Sequence, residues 1–402
     1  MNRRAAPTIL LLAAALLAGG CSADDYVAPP PPQQGSEVAP AAAGDTIQAL
    51  QKAIQTDDAT AAGELGADVE ATERLAAIAK NATALGLTDI TFRYVAETGS
   101  TSDDGVWDGM VAVTWRHEGF DEASARVEIP FSFAEAGDRI AGVGGQRHRL
   151  PVWLSGAVSV RRTAGTVVFG PVPATELARY ARWARVAATD VRGILRRRAR
   201  LVVEVPPDAA ALHHALDAAR GEYDAIAAVT APVDGSSAPG SPVHVFLNPT
   251  VFGDLEPVAA QVVMTHETVH AVTGAALARR GPLWLVEGFA DYIALRDVDL
   301  PLSRTAGQII AQIRRDGLPG ALPSATDFDT GSSHLGAAYE AAWLVCVTLA
   351  ERSGGAALVG LYDAVLGGAS LDAELRTRFG WSEADLTAAW RARLAVAAGV
   401  SE

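Results

Sequence analysis

Two histidines and a glutamate in the second half of the chain have the types and spacing of a metal site. His266, Glu267 and His270 form the pattern H-E-x-x-H. On a helix, residues four apart lie on the same face, so both imidazoles can reach one Zn²⁺. Glu267 points toward the same pocket and can act as general base for a metal-bound water. Because a catalytic zinc needs three protein ligands and an open position, one further ligand is predicted.

Glu287 is the natural candidate for that third ligand. It lies in the apolar stretch of residues 284–292, where a carboxylate is costly to bury unless it is paired or bound to a metal. Asp291 follows four residues later, so on a helix both carboxylates face the same direction. Asp291 can therefore accept a hydrogen bond from the distal N–H of a zinc-binding histidine and orient its ring.

Two helices must position these residues. The first is predicted over residues 254–273, with Asp254 as its N-terminal cap and Gly274 at its left-handed end. A Gly-Pro pair then breaks the chain, and the second helix is predicted over residues 283–295. The H-E-x-x-H residues belong to the first of these helices and both carboxylates to the second.

Strands are predicted ahead of the first helix. Apolar and β-branched runs predict them at residues 201–205, 226–230 and 243–247. This order of elements resembles the upper half of a zincin, which implies a sheet edge over the cleft that can pair with an extended peptide by strand addition. His244 alternates with apolar neighbours in the last strand and is interpreted as a structural residue.

The first half of the chain predicts an α+β module without a catalytic group. Helices are expected at residues 46–54 and 70–85. Four alternating segments follow and predict an antiparallel sheet, at residues 88–95, 107–116, 125–133 and 139–142. Helices followed by a meander resemble NTF2-like or cystatin-like modules. His117 and His148 occur singly here, and each is interpreted as a surface or strand-end histidine rather than a ligand.

The N-terminus has the layout of an export signal. Arg3 and Arg4 give a positive start, and residues 9–17 form an apolar stretch too short to span a bilayer comfortably. Small residues then precede Cys21 in a pattern that resembles a bacterial lipobox, in which this cysteine carries a lipid anchor. Cleavage as an ordinary secreted protein is the alternative. Both interpretations predict export.

Composition and charge limit the classes of function. At 402 residues the chain is long enough for two domains after a leader, and its 49% hydrophobic and 20% charged residues are typical of a globular protein. A net charge of −14 argues against nucleic acid as a partner. Cys346 is the only cysteine besides Cys21 and lies in an apolar run, so it is predicted to be buried without a disulfide.

The second half of the chain resembles a family of zinc peptidases. The H-E-x-x-H motif is followed at residues 282–292 by P-L-W-L-V-E-G-F-A-D-Y. This order resembles the peptidase MA-like gluzincins, with their P-x-W-L-x-E-G-x-A-x-Y segment. Residues 339–354 and 371–390 are similar to later helices of the family. The likeness runs from about residue 243 to the C-terminus and is most specific at the H-E-x-x-H motif.

The resemblance implies a zincin fold and Zn²⁺ as cofactor. Carried over residue by residue, the ligands are His266, His270 and Glu287. It also implies that Glu267 is the base that takes a proton from zinc-bound water.

A donor to the developing oxyanion is also implied by the resemblance. In gluzincins a tyrosine or histidine of a later helix often has this role. Tyr339 is in the matching position, with packing as its alternative role. His334, just before that helix, is the competing donor.

The sequence thus predicts an α+β protein in four parts. They are a signal peptide with a lipobox (1–21), a Pro-rich linker (22–45), an NTF2-like or cystatin-like domain (46–150) and a mainly helical gluzincin domain with a small edge sheet (151–402). The predicted function is that of a zinc metallopeptidase, anchored by lipid at the outer face of the cell membrane and acting on peptides or proteins.

Two alternative functions remain open. The first is an envelope protein that binds or scaffolds without significant turnover. The presence of all three ligands and the base argues against it. The second is a zinc hydrolase that acts on a non-peptide amide of the cell envelope.

Cys21 is expected to carry the lipid. Bacteria fed radiolabelled palmitate should label the wild-type protein but not a Cys21→Ser variant, because the lipid is attached to the thiol. A Cys346→Ser variant is the control and should be labelled like the wild type. Label that persists in Cys21→Ser would contradict the lipobox.

Overall fold

The computed structural model describes residues 38–401, apart from residues 103, 146–147, 279, 330–331 and 333. The predicted signal peptide, Cys21 and most of the predicted linker lie outside these residues. The described chain contains two β-sheets followed by a helical C-terminal part. The predicted α+β class is confirmed at that level.

The N-terminal part consists of three helices and an antiparallel sheet. The helices are α1 Pro40–Gln55, α2 Ala59–Gly63 and α3 Val69–Leu85. The strands are β1 Leu87–Thr101, β2 Trp107–His117, β3 Ala125–Phe133 and β4 Ile140–Val143, paired in the order β1-β2-β3-β4. The last six residues of the predicted linker, 40–45, are already helical, because proline is well suited to the first turn of a helix.

The second sheet has five strands of mixed direction. They are β5 Ser159–Arg162, β6 Thr166–Gly170, β7 Leu201–Glu204, β8 Ala228–Pro232 and β9 Val243–Leu247, in the order β5-β6-β7-β9-β8. The inner strands β6, β7 and β9 are parallel, and the edge strands β5 and β8 run antiparallel to their neighbours. Helices α4 Ala174–Leu195 and α5 Ala209–Leu216 follow β6 and β7.

Side chains on both faces of the second sheet are buried. Val168 and Val203 pack on α4, whereas Val167 and Phe169 point to the opposite face, as strand alternation requires. There they join a cluster of buried side chains from α1, α3 and the first sheet, together with Trp153, which we name the junction core. The junction core is continuous across residue 150, and the predicted domain boundary at that residue stays a prediction.

The remaining helices form the C-terminal part. They are α6 Pro249–Phe252, α7 Pro257–Thr273, α8 Leu283–Leu295, α9 Leu302–Thr305, α10 Gly307–Asp316, α11 Leu335–Ser353, α12 Gly355–Leu366, α13 Leu371–Phe379 and α14 Glu383–Ala398. Short 3₁₀ helices occur at Val152–Leu154, Ala275–Leu277 and Ala325–Phe328. Cys346 is fully buried among these helices, as predicted. Within the described part of the chain, no helix has both the length and the apolar composition needed to cross a bilayer.

One of the two predicted site helices begins later than expected. α8 has the predicted bounds, but α7 begins at Pro257 rather than at residue 254. The residue at the N-cap position is therefore Glu256 and not Asp254, and the side chain of Glu256 makes no capping hydrogen bond. The predicted cap by Asp254 is wrong. Proline at the first helical position has no N–H that needs a cap, and its fixed φ sets the start of the helix.

A glycine brings α8 unusually close to α11. A Cβ atom placed on Gly288 would lie 2.2 Å from the carbonyl oxygen of Ala342, which is a backbone atom and cannot rotate away. Glu287 precedes this glycine, so the helix contact at Gly288 helps to set how far α8 stands from its neighbours. Any larger side chain at residue 288 must push the two helices apart.

Gly288→Ala is therefore expected to destabilise the fold. The loss should be about 1–3 kcal/mol in the free energy of unfolding, measured by chemical denaturation, because the extra methyl group overpacks a backbone contact. Gly193→Ala is the matched control, since a Cβ on Gly193 near the end of α4 would meet nothing within 4 Å. The control should gain up to about 1 kcal/mol from helix propensity. A Gly288→Ala variant as stable as the wild type would contradict this account of the helix contact.

Candidate metal centre

Helices α7 and α8 carry the predicted ligands on surfaces that face each other. His266 and His270 are one turn apart on α7, and Glu287 lies on α8. α7 ends at Gly274, whose φ of 71° is a left-handed value that glycine adopts without strain. The turn that follows returns the chain so that α8 packs along α7.

The three predicted ligands converge on one point. Nε2 of His266 and Nε2 of His270 lie 2.9 Å apart, and each is 3.2 Å from Oε2 of Glu287. Their side chains are only 12%, 11% and 16% exposed, in that order. Two ring nitrogens and a carboxylate oxygen, all able to offer a lone pair, therefore meet in a largely buried place.

Asp291 lies behind the first histidine. Its Oδ1 is 2.8 Å from Nδ1 of His266, on the side of the ring away from the other ligands. A carboxylate in that position accepts the hydrogen of Nδ1 and leaves Nε2 with its lone pair free. The contact thus orients the ring of His266 toward His270 and Glu287.

This donor set fits a catalytic zinc ion. Two histidines and one glutamate are a known ligand set for catalytic zinc, with bonds of about 2.0–2.2 Å. Ligand atoms around a tetrahedral ion with such bonds stand roughly 3.3 Å apart. The observed separations of 2.9 and 3.2 Å are close to that value.

The charges at the site favour a cation. Burial lowers the pKa of His266, but Asp291, together with Glu287 and Glu267, outweighs burial and raises this pKa well above its usual value. Burial alone would raise the pKa of Glu287, yet His270 and His266 hold it well below its usual range. Carboxylates that favour positive charge on an imidazole would also favour a bound metal cation at the same place.

Glu267 stands beside the ligands as the only carboxylate of the motif. Its side chain is almost fully buried, and burial raises its pKa above the usual value despite the two imidazoles and a hydrogen bond from Thr230. Oγ1 of Thr230, on the edge strand β8, lies 2.6 Å from Oε2 of Glu267. A carboxylate with a raised pKa is better suited to take up a proton near neutral pH than an ordinary glutamate is.

A cavity of about 470 Å³ opens onto this group. His266, Glu267, His270 and Glu287 form its base, and strand β8 forms one wall. The other walls contain Ala275 and Ala276 of the 3₁₀ helix after α7, Ala278 and Arg280 of the segment that follows it, and Leu283 and Val286 of α8. The size and the mixture of apolar walls with a polar base are typical of a ligand-binding site.

Tyr339 also borders the cavity, whereas His334 does not. The ring of Tyr339 lies 6.1 Å from that of His266, and burial beside Glu287 raises the pKa of its hydroxyl, which keeps its proton. His334 is exposed at the start of α11 and lines two other cavities with Ala337. The structure thus places Tyr339 at the cavity of the candidate metal centre and His334 outside that cavity.

A second group of histidines and carboxylates lies between the two sheets. Asp121 Oδ2 is 3.1 Å from His117 Nδ1, and Asp121 Oδ1 is 3.0 Å from His244 Nε2. The other ring nitrogen of His244 is 2.7 Å from Oε1 of Glu204. Both histidine side chains are fully buried, and those of Asp121 and Glu204 are at most 5% exposed. We name these four residues the sheet junction network.

Hydrogen bonds pair both carboxylates of the sheet junction network with histidine rings, while the buried Nε2 of His117 has no hydrogen-bond partner among the described residues. Burial lowers the pKa of His244, but Asp121 and Glu204 outweigh this and raise it to about 9, so the ring carries a proton for each carboxylate. His117 and His244 in turn hold the pKa of Asp121 below its usual range despite burial. Each close contact here joins a nitrogen to an oxygen, whereas in the metal centre two ring nitrogens face each other at 2.9 Å.

Sequence pattern alone does not reveal Thr230 or the sheet junction network. Thr230 is one residue of an edge strand, 37 positions from Glu267. His244 was interpreted as structural, which agrees with its place in the network, but its partner Asp121 is 123 positions away. His117 stands at a strand end as expected, yet it is fully buried. The one signal in the sequence is that His244 lies within an apolar strand, because a histidine that is buried there needs a polar partner.

Neither a scan against protein-family models nor a search of curated proteins gives a match for this chain.

The pH dependence of stability tests the sheet junction network. The pKa of His244 is about 9 in the folded chain against about 6.5 when unfolded, so its contribution is complete below pH 6.5 and is lost as the pH rises through 9. Asp121 has a lowered pKa in the folded chain, so its ionised carboxylate stabilises the fold above about pH 4. This stabilisation is lost as the pH falls below that value. Burial lowers the pKa of His117, which therefore disfavours the fold below about pH 6.5. We expect the free energy of unfolding to fall by up to about 3 kcal/mol from pH 6.5 to pH 9.

A His244→Gln variant should show a smaller decline than the wild type, since glutamine does not titrate and only other groups such as His266, whose pKa is also raised, still contribute. His148→Gln, a change of the same kind at an exposed residue, is the control and should keep it. Urea denaturation at a series of pH values provides the measurement. An equally steep decline in His244→Gln would show that other groups cause it.

Proposed function

We propose that the chain is an exported zinc metallopeptidase of the gluzincin type that hydrolyses peptide bonds. The observation that supports this most directly is the convergence of Nε2 of His266, Nε2 of His270 and Oε2 of Glu287, with Glu267 beside them in one cavity. The finer fold is part of the same proposal. It comprises an NTF2-like or cystatin-like domain at 46–150 and a zincin domain at 151–402.

The ligands have distinct tasks. His266, His270 and Glu287 would hold Zn²⁺, and Asp291 keeps the hydrogen of His266 on Nδ1 so that Nε2 can bind. The chemistry that a bound Zn²⁺ supplies is polarisation of a substrate carbonyl and easier deprotonation of water. The apolar side chains around the cluster limit access of bulk water and strengthen these electrostatic effects.

Glu267 and Tyr339 handle the charge that moves during hydrolysis. Glu267 accepts a proton from the attacking water at a carboxylate oxygen and then delivers it to the leaving amine. The hydroxyl of Tyr339 keeps its proton because burial raises its pKa, so it can donate a hydrogen bond to the developing oxyanion. His334 has no part in this proposal because it lies outside the cavity.

The cleft suits an extended peptide or protein substrate. The strand β8 is at the edge of its sheet and forms one wall of the cavity, so its free edge can pair with an extended chain. The lipobox-like Cys21 would anchor the enzyme at the outer face of the membrane. The net charge of −14 gives no support for a nucleic-acid partner.

Metal content and activity together test the proposal. The purified wild type should contain about one zinc per chain and cleave peptides from a mixed-sequence library. Glu267→Gln should keep the zinc and lose at least about 10²-fold in cleavage rate, because the base is gone and the ligands remain. His270→Ala should lose both zinc and activity. Zinc is measured by atomic emission and cleavage by mass spectrometry of the products.

Each other outcome has a definite meaning. A wild type that binds zinc but cleaves neither peptides nor proteins would favour the binding or scaffolding function. Full activity in Glu267→Gln would rule out the proposed base. A wild type without zinc that stays metal-free when zinc is added would contradict the metal centre itself.

A further inference from the structure

The second sheet holds the side chain of the proposed general base. Oγ1 of Thr230 lies 2.6 Å from Oε2 of Glu267 and 3.0 Å from the backbone oxygen of the same residue. A threonine hydroxyl has one hydrogen to donate, and a carboxylate is a stronger acceptor than a carbonyl. The hydroxyl therefore donates to Oε2, at the shorter distance.

The strand fixes where this hydroxyl stands. Thr230 pairs with Val245 of β9 in the antiparallel ladder, so its backbone belongs to the sheet. A β-branched side chain in a strand also has few rotamers. Glu267, in contrast, reaches its position from α7 through three rotatable side-chain bonds. Of the two partners, Thr230 is the rigid one.

The other oxygen of the carboxylate has no such partner. Among the described residues, no hydrogen bond engages Oε1 of Glu267, while Oε2 is held by Thr230. The side chain as a whole lines the cavity beside His266 and His270. One oxygen is thus held in place, and the other is available to a substrate or water.

We propose that Thr230 is a positioning residue for the peptidase reaction, an inference that rests on the proposed function. Its hydroxyl holds Oε2 of Glu267 and thereby leaves Oε1 as the atom that takes the proton from the attacking water. Without the hydroxyl, the carboxylate can rotate about its side-chain bonds. A misplacement of about 1 Å at a reacting group is enough to lower a rate by about 10²-fold.

Substitutions that separate hydroxyl from shape test this role. Thr230→Val keeps the branched shape and removes the hydroxyl, whereas Thr230→Ser keeps the hydroxyl. With an internally quenched peptide that the wild type cleaves, we expect Thr230→Val to lower kcat by about 10- to 100-fold. KM and zinc content should stay within about twofold of the wild type, since neither substrate binding nor the ligands change. Thr230→Ser should recover most of kcat.

A matched control separates this effect from general damage to the sheet. Thr166 is a buried threonine in β6 of the same sheet, where its hydroxyl contacts Thr163 rather than the metal centre. Thr166→Val should therefore leave kcat close to that of the wild type. If Thr230→Val does not fold, Thr230→Ala takes its place and is compared with Thr230→Ser, with the same loss and recovery of kcat expected.

The outcomes distinguish this inference from the proposed function. Near-normal kcat in Thr230→Val would overturn the positioning role and leave the peptidase proposal intact. Loss of zinc or of kcat in Thr230→Ser as severe as in Thr230→Val would show that Thr230 acts in packing only and would overturn it as well. A wild type that cleaves no peptide would overturn both proposals together.

Discussion

The pairing of buried carboxylates with imidazoles is the interaction on which this structure depends. A carboxylate loses its hydration when it is buried, and hydrogen-bond donors, a partner of opposite charge or a metal ion must replace it. Glu287 and Asp291 find that partner in the histidines of α7, which fixes how α7 and α8 face each other. Asp121 and Glu204 find it in His244, which fixes the first sheet against the second.

The same residue types produce two different sites because of the direction in which the rings point. In the sheet junction network three ring nitrogens each meet a carboxylate oxygen, so a proton satisfies each contact, and Nε2 of His117 has no hydrogen-bond partner among the described residues. Between α7 and α8 two ring nitrogens point at each other and share one oxygen. The second group also borders a cavity of about 470 Å³. Geometry and access, rather than composition, separate the candidate metal centre from a structural ion pair.

Contacts within one helix could be predicted from the sequence, and contacts between distant segments could not. The spacing of His266 and His270, and of Glu287 and Asp291, is set by helical periodicity. The bounds of α8 and β9 follow from their apolar runs and agree with the structure. The contact of Thr230 with Glu267 depends on how an edge strand crosses α7, and no local pattern encodes that crossing.

The junction core makes the N-terminal part a structural component of the half that carries the candidate metal centre. The carboxylate of Asp121 is the hydrogen-bond partner of Nε2 of His244, which would otherwise be unpaired. Side chains from the first sheet and its helices pack with Val167 and Phe169 of the second sheet. A fragment that begins at residue 151 would lose the part of the junction core that comes from α1, α3 and the first sheet, and it would leave His244 with one carboxylate instead of two. Truncation at that point would yield an aggregation-prone chain, because an uncovered apolar sheet face associates with other copies.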